Sequence, residues 1–97
     1  MIRHIMLMKF KPGVSAADHE RCLAAGQELP ARIDALRAFT VGDDVARTPR
    51  SYDLAIVADL DSLDDLRRYQ QDPAHRAFTT LVDPLAAHIV VADVDIA

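Results

Sequence analysis

The sequence predicts an α+β domain of the ferredoxin-like βαββαβ class, with a four-stranded antiparallel sheet and helices on one side. Three observations predict it. Residues 2–10 alternate as a strand, Ser-x-x-Asp sequences mark helix starts at Ser15 and Ser62, and strand-like segments flank each helical region. The 97 residues, of ordinary globular composition, are expected to form one domain, 1–97.

The first half of the chain is predicted to contain a strand, a helix and a second strand. Residues 2–10 form the first strand. The helix begins after Ser15, which with Asp18 resembles a capping box, and we expect Pro30 to end it. Residues 36–45 form the second strand.

The second half is predicted to contain two strands that enclose a helical region. The strand 52–60 is followed by a short helix that begins after Ser62. Asp72 is a good N-cap and Pro73 a good first helical residue, so a further helix begins there. The last strand is residues 88–96.

The first and third strands carry apolar side chains on both faces. Ile5, Leu7, Ala55 and Val57 fall on the face that points away from the helices. A sheet with helices on one side would ordinarily leave its other face polar. Because the chain has no further helix to cover this face, we expect a second copy to pack against it, sheet to sheet, as a homodimer.

Composition argues against several partners and cofactors. A net charge of −4 and a pI near 5.4 argue against nucleic acid. No apolar run is of membrane-spanning length and no signal-type cleavage region is recognisable, so we expect no membrane contact and a cytoplasmic location. Cys22 is the only cysteine and the glycines are isolated, so we expect neither a thiolate metal cluster nor a nucleotide cofactor.

The segment 69–78 carries the strongest sign of chemistry. It places a phenol, Tyr69, and an imidazole, His75, on either side of Asp72-Pro73. His75 falls in the first turn of a helix, where the helix dipole disfavours an imidazolium. A neutral imidazole near a tyrosine hydroxyl is a plausible acid/base pair. Residue chemistry alone favours a structural alternative, in which Tyr69 is half-buried core and His75 a satisfied helix-start residue.

Three further positions allow two interpretations each. His4, on the inward face of the first strand, is either a hydrogen-bonded core group or a pocket residue. Cys22 lies three residues after His19, yet nothing at fitting spacing completes a zinc site, and a free cysteine usually behaves as a small buried hydrophobe. Gly26 either lets the helix approach the sheet or leaves space for a ligand.

In several stretches the chain resembles the stress-responsive α/β-barrel family, the Dabb domain. The matching stretches are residues 4–11, 52–57, 62–66 and 72–78, the last reading Asp-Pro-Ala-His-Arg-Ala-Phe. The resemblance implies a ferredoxin-like subunit that pairs into a dimeric α/β barrel. It implies no single function, although the plant polyketide cyclases of the family are cofactor-free enzymes that close an aldol ring with a tyrosine and a histidine.

The resemblance also assigns roles to residues. The catalytic roles fall on Tyr69 and His75, and that of a pocket histidine falls on His4. The chain departs from the cyclase pattern at Leu54, where the cyclase-type member carries another histidine, and in the first helix, where small residues replace bulky aromatics. A cleft is predicted between the inward face of the sheet and the helices, with these substrate-binding residues: His4, Met6, Cys22, Leu23, Leu54, Ile56 and Phe78.

Three functions fit these observations. The first is a cofactor-independent, cyclase-like lyase or isomerase acting on a small carbonyl compound. In it His75 takes a proton from the carbon next to the carbonyl, Tyr69 donates a hydrogen bond to the enolate oxygen, and His4 orients the substrate. The second is a binding module for a small apolar ligand. The third is a structural stress-response oligomer.

Overall fold

The computed structural model of residues 1–97 has the predicted α+β, ferredoxin-like architecture. One helical segment follows the first strand, and two helices and a short 3₁₀ turn precede the last. The elements are β1 (Ile2–Phe10), α1 (Ala16–Arg32), β2 (Ala38–Asp43), β3 (Leu54–Leu60), α2 (Leu63–Gln71), α3 (Pro73–Val82), the 3₁₀ turn Asp83–Leu85 and β4 (Ala86–Asp95).

The four strands form one antiparallel sheet in the order β2-β3-β1-β4. In the register of the central strand, Met6 lies opposite Ile56 of β3 and opposite Val91 of β4. Cross-strand neighbours share one face of a sheet, so this register decides which side chains meet under the helices. The core lies there, between the inward face of the sheet and the three helices.

All three predicted helix starts are confirmed by their side-chain caps. The Ser15 hydroxyl accepts a hydrogen bond from the Asp18 N–H, and the Ser62 hydroxyl accepts one from the Asp65 N–H, each at 3.1 Å. The Asp72 carboxylate accepts one from the N–H of Ala74 at 2.8 Å. Each cap satisfies a backbone donor that the first helical turn leaves without a partner.

The prediction that Pro30 ends the first helix is wrong. The helix continues through Pro30 to Arg32. Proline removes one intrahelical hydrogen bond, but Leu29 and Ile33 are both buried, and the Ile33 N–H donates to the Leu29 carbonyl at 3.1 Å. Burial of these side chains therefore holds the last turn in place.

Strand ends differ from the predictions by one or two residues. The predicted strands 36–45 and 52–60 are shorter than expected, because the residues between β2 and β3 form a longer loop. Within this loop the Arg47 guanidinium donates a hydrogen bond to the Asp53 carboxylate at 2.8 Å. Strand β4 begins at Ala86, so His88 is an exposed residue within the strand.

The sheet is apolar on both faces, as predicted. Leu7 is 37% exposed and Val90, its neighbour on β4, is 45% exposed, both on the face opposite the helices. Ile5, Ala55 and Val57 lie on the same face and are half-buried. No helix is long and apolar enough to span a lipid bilayer.

Candidate functional site

A cavity of about 180 Å³ lies between the inward face of the sheet and helices α2 and α3. Strands β1, β3 and β4 form its floor, and the end of α2, the length of α3 and the following turn form its walls. The lining residues are His4, Met6, Ile56, Tyr69, Gln70, His75, Phe78, Thr79, Val82, Asp83, Ile89 and Val91.

Three polar side chains singled out from the sequence meet in this cavity. The ring centroids of Tyr69 and His75 are 4.6 Å apart, and those of His4 and Tyr69 are 6.0 Å apart. Tyr69 lies near the end of α2, and the Asp72 cap starts α3 at once, so His75 faces back toward the phenol. The Asp72-Pro73 junction thus brings the two rings together.

The imidazole of His75 is oriented by the backbone of α2. Its Nδ1 lies 3.1 Å from the carbonyl oxygen of Gln70. A carbonyl can only accept, so Nδ1 carries the proton and Nε2 has the free electron pair in the neutral ring. The pKa of His75 is lowered, chiefly because burial disfavours the charged ring, against the raising effects of Gln70 and Asp83. The ring is therefore a neutral base near pH 7.

The phenol of Tyr69 is almost completely buried, with 1% of the residue exposed. Burial alone raises its pKa to about 12, because a phenolate would lose its hydration there. The hydroxyl keeps its proton across the physiological pH range. It can therefore donate a hydrogen bond to a ligand oxygen.

His4 is held by a carboxylate from the neighbouring strand. Its Nδ1 lies 2.6 Å from Oδ1 of Asp93, the residue opposite it in β4. Because an ionised carboxylate only accepts, Nδ1 donates the hydrogen bond and Nε2 is the nitrogen available to a ligand. His4 itself is 5% exposed. Both cavity histidines thus have Nδ1 occupied by an acceptor.

Three residues predicted to bind substrate lie outside this cavity. Cys22 is fully buried in the core, where burial raises the pKa of its thiol, and Leu54 is 1% exposed in the same core cluster. Leu23 packs at the edge of the same cluster. The remaining predicted lining residues, His4, Met6, Ile56 and Phe78, do contact the cavity.

The small residues of α1 bring the helix close to the sheet. A Cβ at Gly26 would lie 3.1 Å from Cγ2 of Val41 and 3.5 Å from the ring of Phe78. Of the two interpretations of Gly26, the structure supports the first, in which the glycine lets the helix approach the sheet closely. His19 does not join Cys22; it stacks on Phe10 with ring centroids 3.9 Å apart. No group of three or more His, Cys, Asp or Glu side chains is arranged to hold a metal ion.

Several cavity residues were missed in the sequence. Thr79 and Val82 follow His75 at intervals of four and seven, so helical spacing alone could have found them. Ile89, Val91 and the His4 partner Asp93 lie on β4, and their positions depend on the pairing of β1 with β4. A single sequence does not specify that pairing residue by residue.

Comparison with known proteins identifies the family of this fold. The family model of the Stress responsive A/B Barrel Domain, Dabb, matches residues 2–96 of the sequence. The chain belongs to the Dabb family. This confirms the resemblance found in the sequence. The Dabb chain is also 36% identical to an uncharacterised protein of Streptomyces coelicolor over 93 residues, which are 93% of this chain and 95% of that one.

Two solved structures illustrate what the Dabb chain resembles. A dimeric ferredoxin-like protein of unknown function from Thermobifida fusca superposes with a TM-score of 0.90 at 36% identity, over 98% of this chain and 90% of that one. The hydroxynitrile lyase of Passiflora edulis superposes with a TM-score of 0.85 at 19% identity, over 99% and 93%. The second likeness concerns the fold alone.

Proposed function

We propose that the cavity is the active site of a cofactor-independent enzyme that removes a proton next to the carbonyl of a small, mainly apolar compound. One observation carries the proposal: a neutral imidazole base and a protonated phenol lie with ring centroids 4.6 Å apart in the same cavity. Groups whose environments favour different protonation roles are typical of acid/base sites.

The proposed reaction begins with proton transfer to His75. Its Nε2 takes the proton from the carbon next to the carbonyl, and the electron pair of that C–H bond moves to the carbonyl oxygen. The Tyr69 hydroxyl donates a hydrogen bond to the oxygen as negative charge develops on it. The enolate carbon then bonds to a second carbonyl carbon or is reprotonated, and His75 gives its proton back.

His4 has a supporting role in this proposal. The Asp93 carboxylate holds the Nδ1–H of His4 and so fixes the orientation of the ring. Nε2 of His4 can then contact a polar atom of the substrate at a fixed position. Positioning of this kind lowers the entropic cost of reaching a reactive geometry.

The dimensions of the cavity limit the substrate. Its volume of about 180 Å³ is below the range of about 300–1,000 Å³ that is common for ligand pockets. Met6, Ile56 and Phe78 give it apolar walls. The fold carries a hydroxynitrile lyase in Passiflora edulis, so this scaffold is compatible with lyase chemistry.

We further propose that the protein is a homodimer through the outer face of the sheet. Leu7 and Val90 expose apolar surface there, beside the half-buried Ile5 and Val57. A contiguous apolar face of this kind is rare on a monomer. The Thermobifida fusca relative, at 36% identity, is described as dimeric, which supports the same assembly here.

Deuterium exchange tests the proposed chemistry without knowledge of the full reaction. Small enolisable ketones and aldehydes are incubated with the protein in D₂O. The set includes aryl ketones such as acetophenone, whose methyl group carries the exchangeable protons. Loss of the proton signal next to the carbonyl is followed by NMR. The wild-type protein should accelerate exchange of at least one compound, and His75→Ala should lose about 100-fold or more of that rate.

Two further variants make this test specific. Tyr69→Phe should lose less rate than His75→Ala, because only one hydrogen bond to the developing enolate is removed. His88→Ala removes an exposed imidazole outside the cavity and should leave exchange unchanged. Exchange at the wild-type rate in His75→Ala, with an unchanged circular dichroism spectrum, would contradict the proposal.

Non-catalytic binding is the second function that an observation favours. Seven of the twelve lining residues are hydrophobic, which suits an apolar ligand as well as a substrate. In a binding module the histidines would only satisfy polar atoms of that ligand. This function would be favoured if none of the tested carbonyl compounds underwent deuterium exchange and one of them bound with micromolar affinity.

A further inference from the structure

The cavity has an unequal distribution of charge. No lysine or arginine lines it. The titratable lining residues are two histidines, Tyr69 and Asp83, and of these Asp83 is the one carboxylate. Asp83 caps the C-terminal end of α3 and belongs to the turn that leads into β4. Asp83 thus lies at the wall formed by α3 and the turn, at a position exposed to solvent.

The other polar groups do not offset this charge. His75 and Tyr69 are uncharged near neutral pH, as their lowered and raised pKa values require. The bonded pair of His4 and the Asp93 carboxylate has a net charge of zero or −1, whichever protonation state His4 adopts. An anion that entered the cavity would therefore find no net positive partner.

Asp83 is exposed to solvent, and its carboxylate forms none of the ion pairs of the chain. The ion pairs of the chain use other carboxylates, among them Asp59, Asp61 and Asp93. A negative charge at the C-terminal end of a helix also interacts unfavourably with the helix dipole. Its charge nevertheless reaches the base, because Asp83 is one of the groups that raise the pKa of His75.

We propose that Asp83 is a specificity-determining residue that makes this site select uncharged carbonyl compounds over carboxylates and phosphates. The inference rests on the proposed function, since it names the substrate class of the same site. An unpaired anion loses hydration on entering an apolar cavity, and repulsion from Asp83 adds to that cost. An uncharged ketone has neither penalty, and it can accept the Tyr69 hydrogen bond.

Two probes of similar shape and different charge test the proposal: acetophenone, which is uncharged, and benzoate, which is anionic at pH 7.5. Binding to the 97-residue chain is measured from the amide shifts of Gln70 and Thr79 in ¹H–¹⁵N NMR titrations. Acetophenone should bind about tenfold or more tightly than benzoate to the wild-type protein.

The charge of Asp83 is then removed at nearly constant shape. Asp83→Asn should tighten benzoate binding about three- to tenfold and change acetophenone binding less than about twofold. Glu20→Gln removes an exposed carboxylate on α1, outside the cavity, and should change neither affinity. Asp83→Lys should strengthen benzoate binding further than Asp83→Asn does.

The possible outcomes separate this inference from the enzyme proposal. Equal binding of the two probes, or a benzoate affinity that Asp83→Asn does not alter, overturns the role of Asp83 and leaves the deuterium-exchange result unaffected. Failure of both probes to shift the cavity amides also overturns it, because the site then does not accept the uncharged member. Selective binding of acetophenone without any exchange supports the charge selection and counts only against catalysis.

Discussion

The tautomer of each of the two histidines in the cavity is set by the group that contacts its Nδ1. Gln70 supplies a backbone carbonyl to His75, and Asp93 supplies a carboxylate to His4. The acceptor for His75 is a neutral carbonyl and the acceptor for His4 is a carboxylate, and each leaves Nε2 of its ring free. Burial keeps His75 a neutral base, whereas the hydrogen bond to the Asp93 carboxylate fixes the orientation of His4.

The lowered pKa of His75 predicts how stability depends on pH. An unfolded histidine binds a proton with an ordinary pKa near 6.5, and the folded ring resists protonation because it is half-buried. The unfolded state therefore binds more protons in this range, and the free energy of unfolding falls as the pH drops below about 6.5. This loss continues until the pH has passed the folded pKa.

Thermal unfolding of variants at pH 7.5 and pH 5.0 measures this effect. His75→Gln should lose less in Tm than the wild-type protein between the two pH values, because the titrating ring is gone. His88→Gln removes a histidine outside the cavity, on the outer face of the sheet, and its loss should be closer to that of the wild type than to that of His75→Gln. Carboxylates with lowered pKa values, such as Asp53, titrate below the ordinary value of 3.8 and do not interfere. An identical pH dependence in His75→Gln and the wild type would disprove the assigned shift.

At the scale of the elements, one contact limits how closely helix α1 approaches the sheet. The contact lies between Gly26 and Val41 of β2, where an added Cβ would come within 3.1 Å of a methyl group. Valine has a stiff side chain, so it cannot easily move away. The helix approaches the sheet as far as glycine permits.

This contact predicts the effect of Gly26→Ala on stability. Alanine gains about 1 kcal/mol in helix propensity over glycine, and overpacking costs about 1–3 kcal/mol. We expect a net loss of about 1 kcal/mol in the free energy of unfolding, measured by urea denaturation. In the double variant with Val41→Ala, the loss should be smaller than the sum of the two single losses. A net gain in stability from Gly26→Ala would show that the sheet yields at this point.

The elements also show which parts of the structure a single sequence predicts. The caps at Ser15, Ser62 and Asp72 are recognisable because each side chain bonds to a backbone group two or three residues away. The Tyr69–His75 pair is recognisable for the same reason, since both rings flank one helix junction. Local chemistry decides these features.

Features that depend on distant contacts were not predictable in the same way. The Asp93 partner of His4 is 89 residues away in the chain and is brought there by strand register. Leu54 of β3 and Cys22 of α1 have the inward orientation expected of pocket residues, but both are packed in the filled part of the core, and the cavity forms nearer β4. Which end of an inward face stays open depends on helix packing, which periodicity does not reveal.

For the whole molecule, the central question is what covers the outer face of the sheet. The side chains there include Ile5, Leu7, Val57 and Val90, in the middle of three adjacent strands. Helices cover only the opposite face. A second copy offers the same apolar surface and can pack against it about a two-fold axis, as in other symmetric dimers.

Leu7→Asp tests the assembly directly. The wild-type protein should elute at twice the 10.7 kDa mass of one chain in light scattering at micromolar concentration. Aspartate at this position would bury a carboxylate without a partner at the centre of the interface. A cost of about 4 kcal/mol corresponds to about a 1,000-fold weaker dimer, so the variant should be monomeric or partly unfolded. Leu63→Asp makes the same change at an exposed position on α2 and should remain dimeric. A 10.7 kDa particle for the wild-type protein would exclude the dimer, and the outer face would then need another partner.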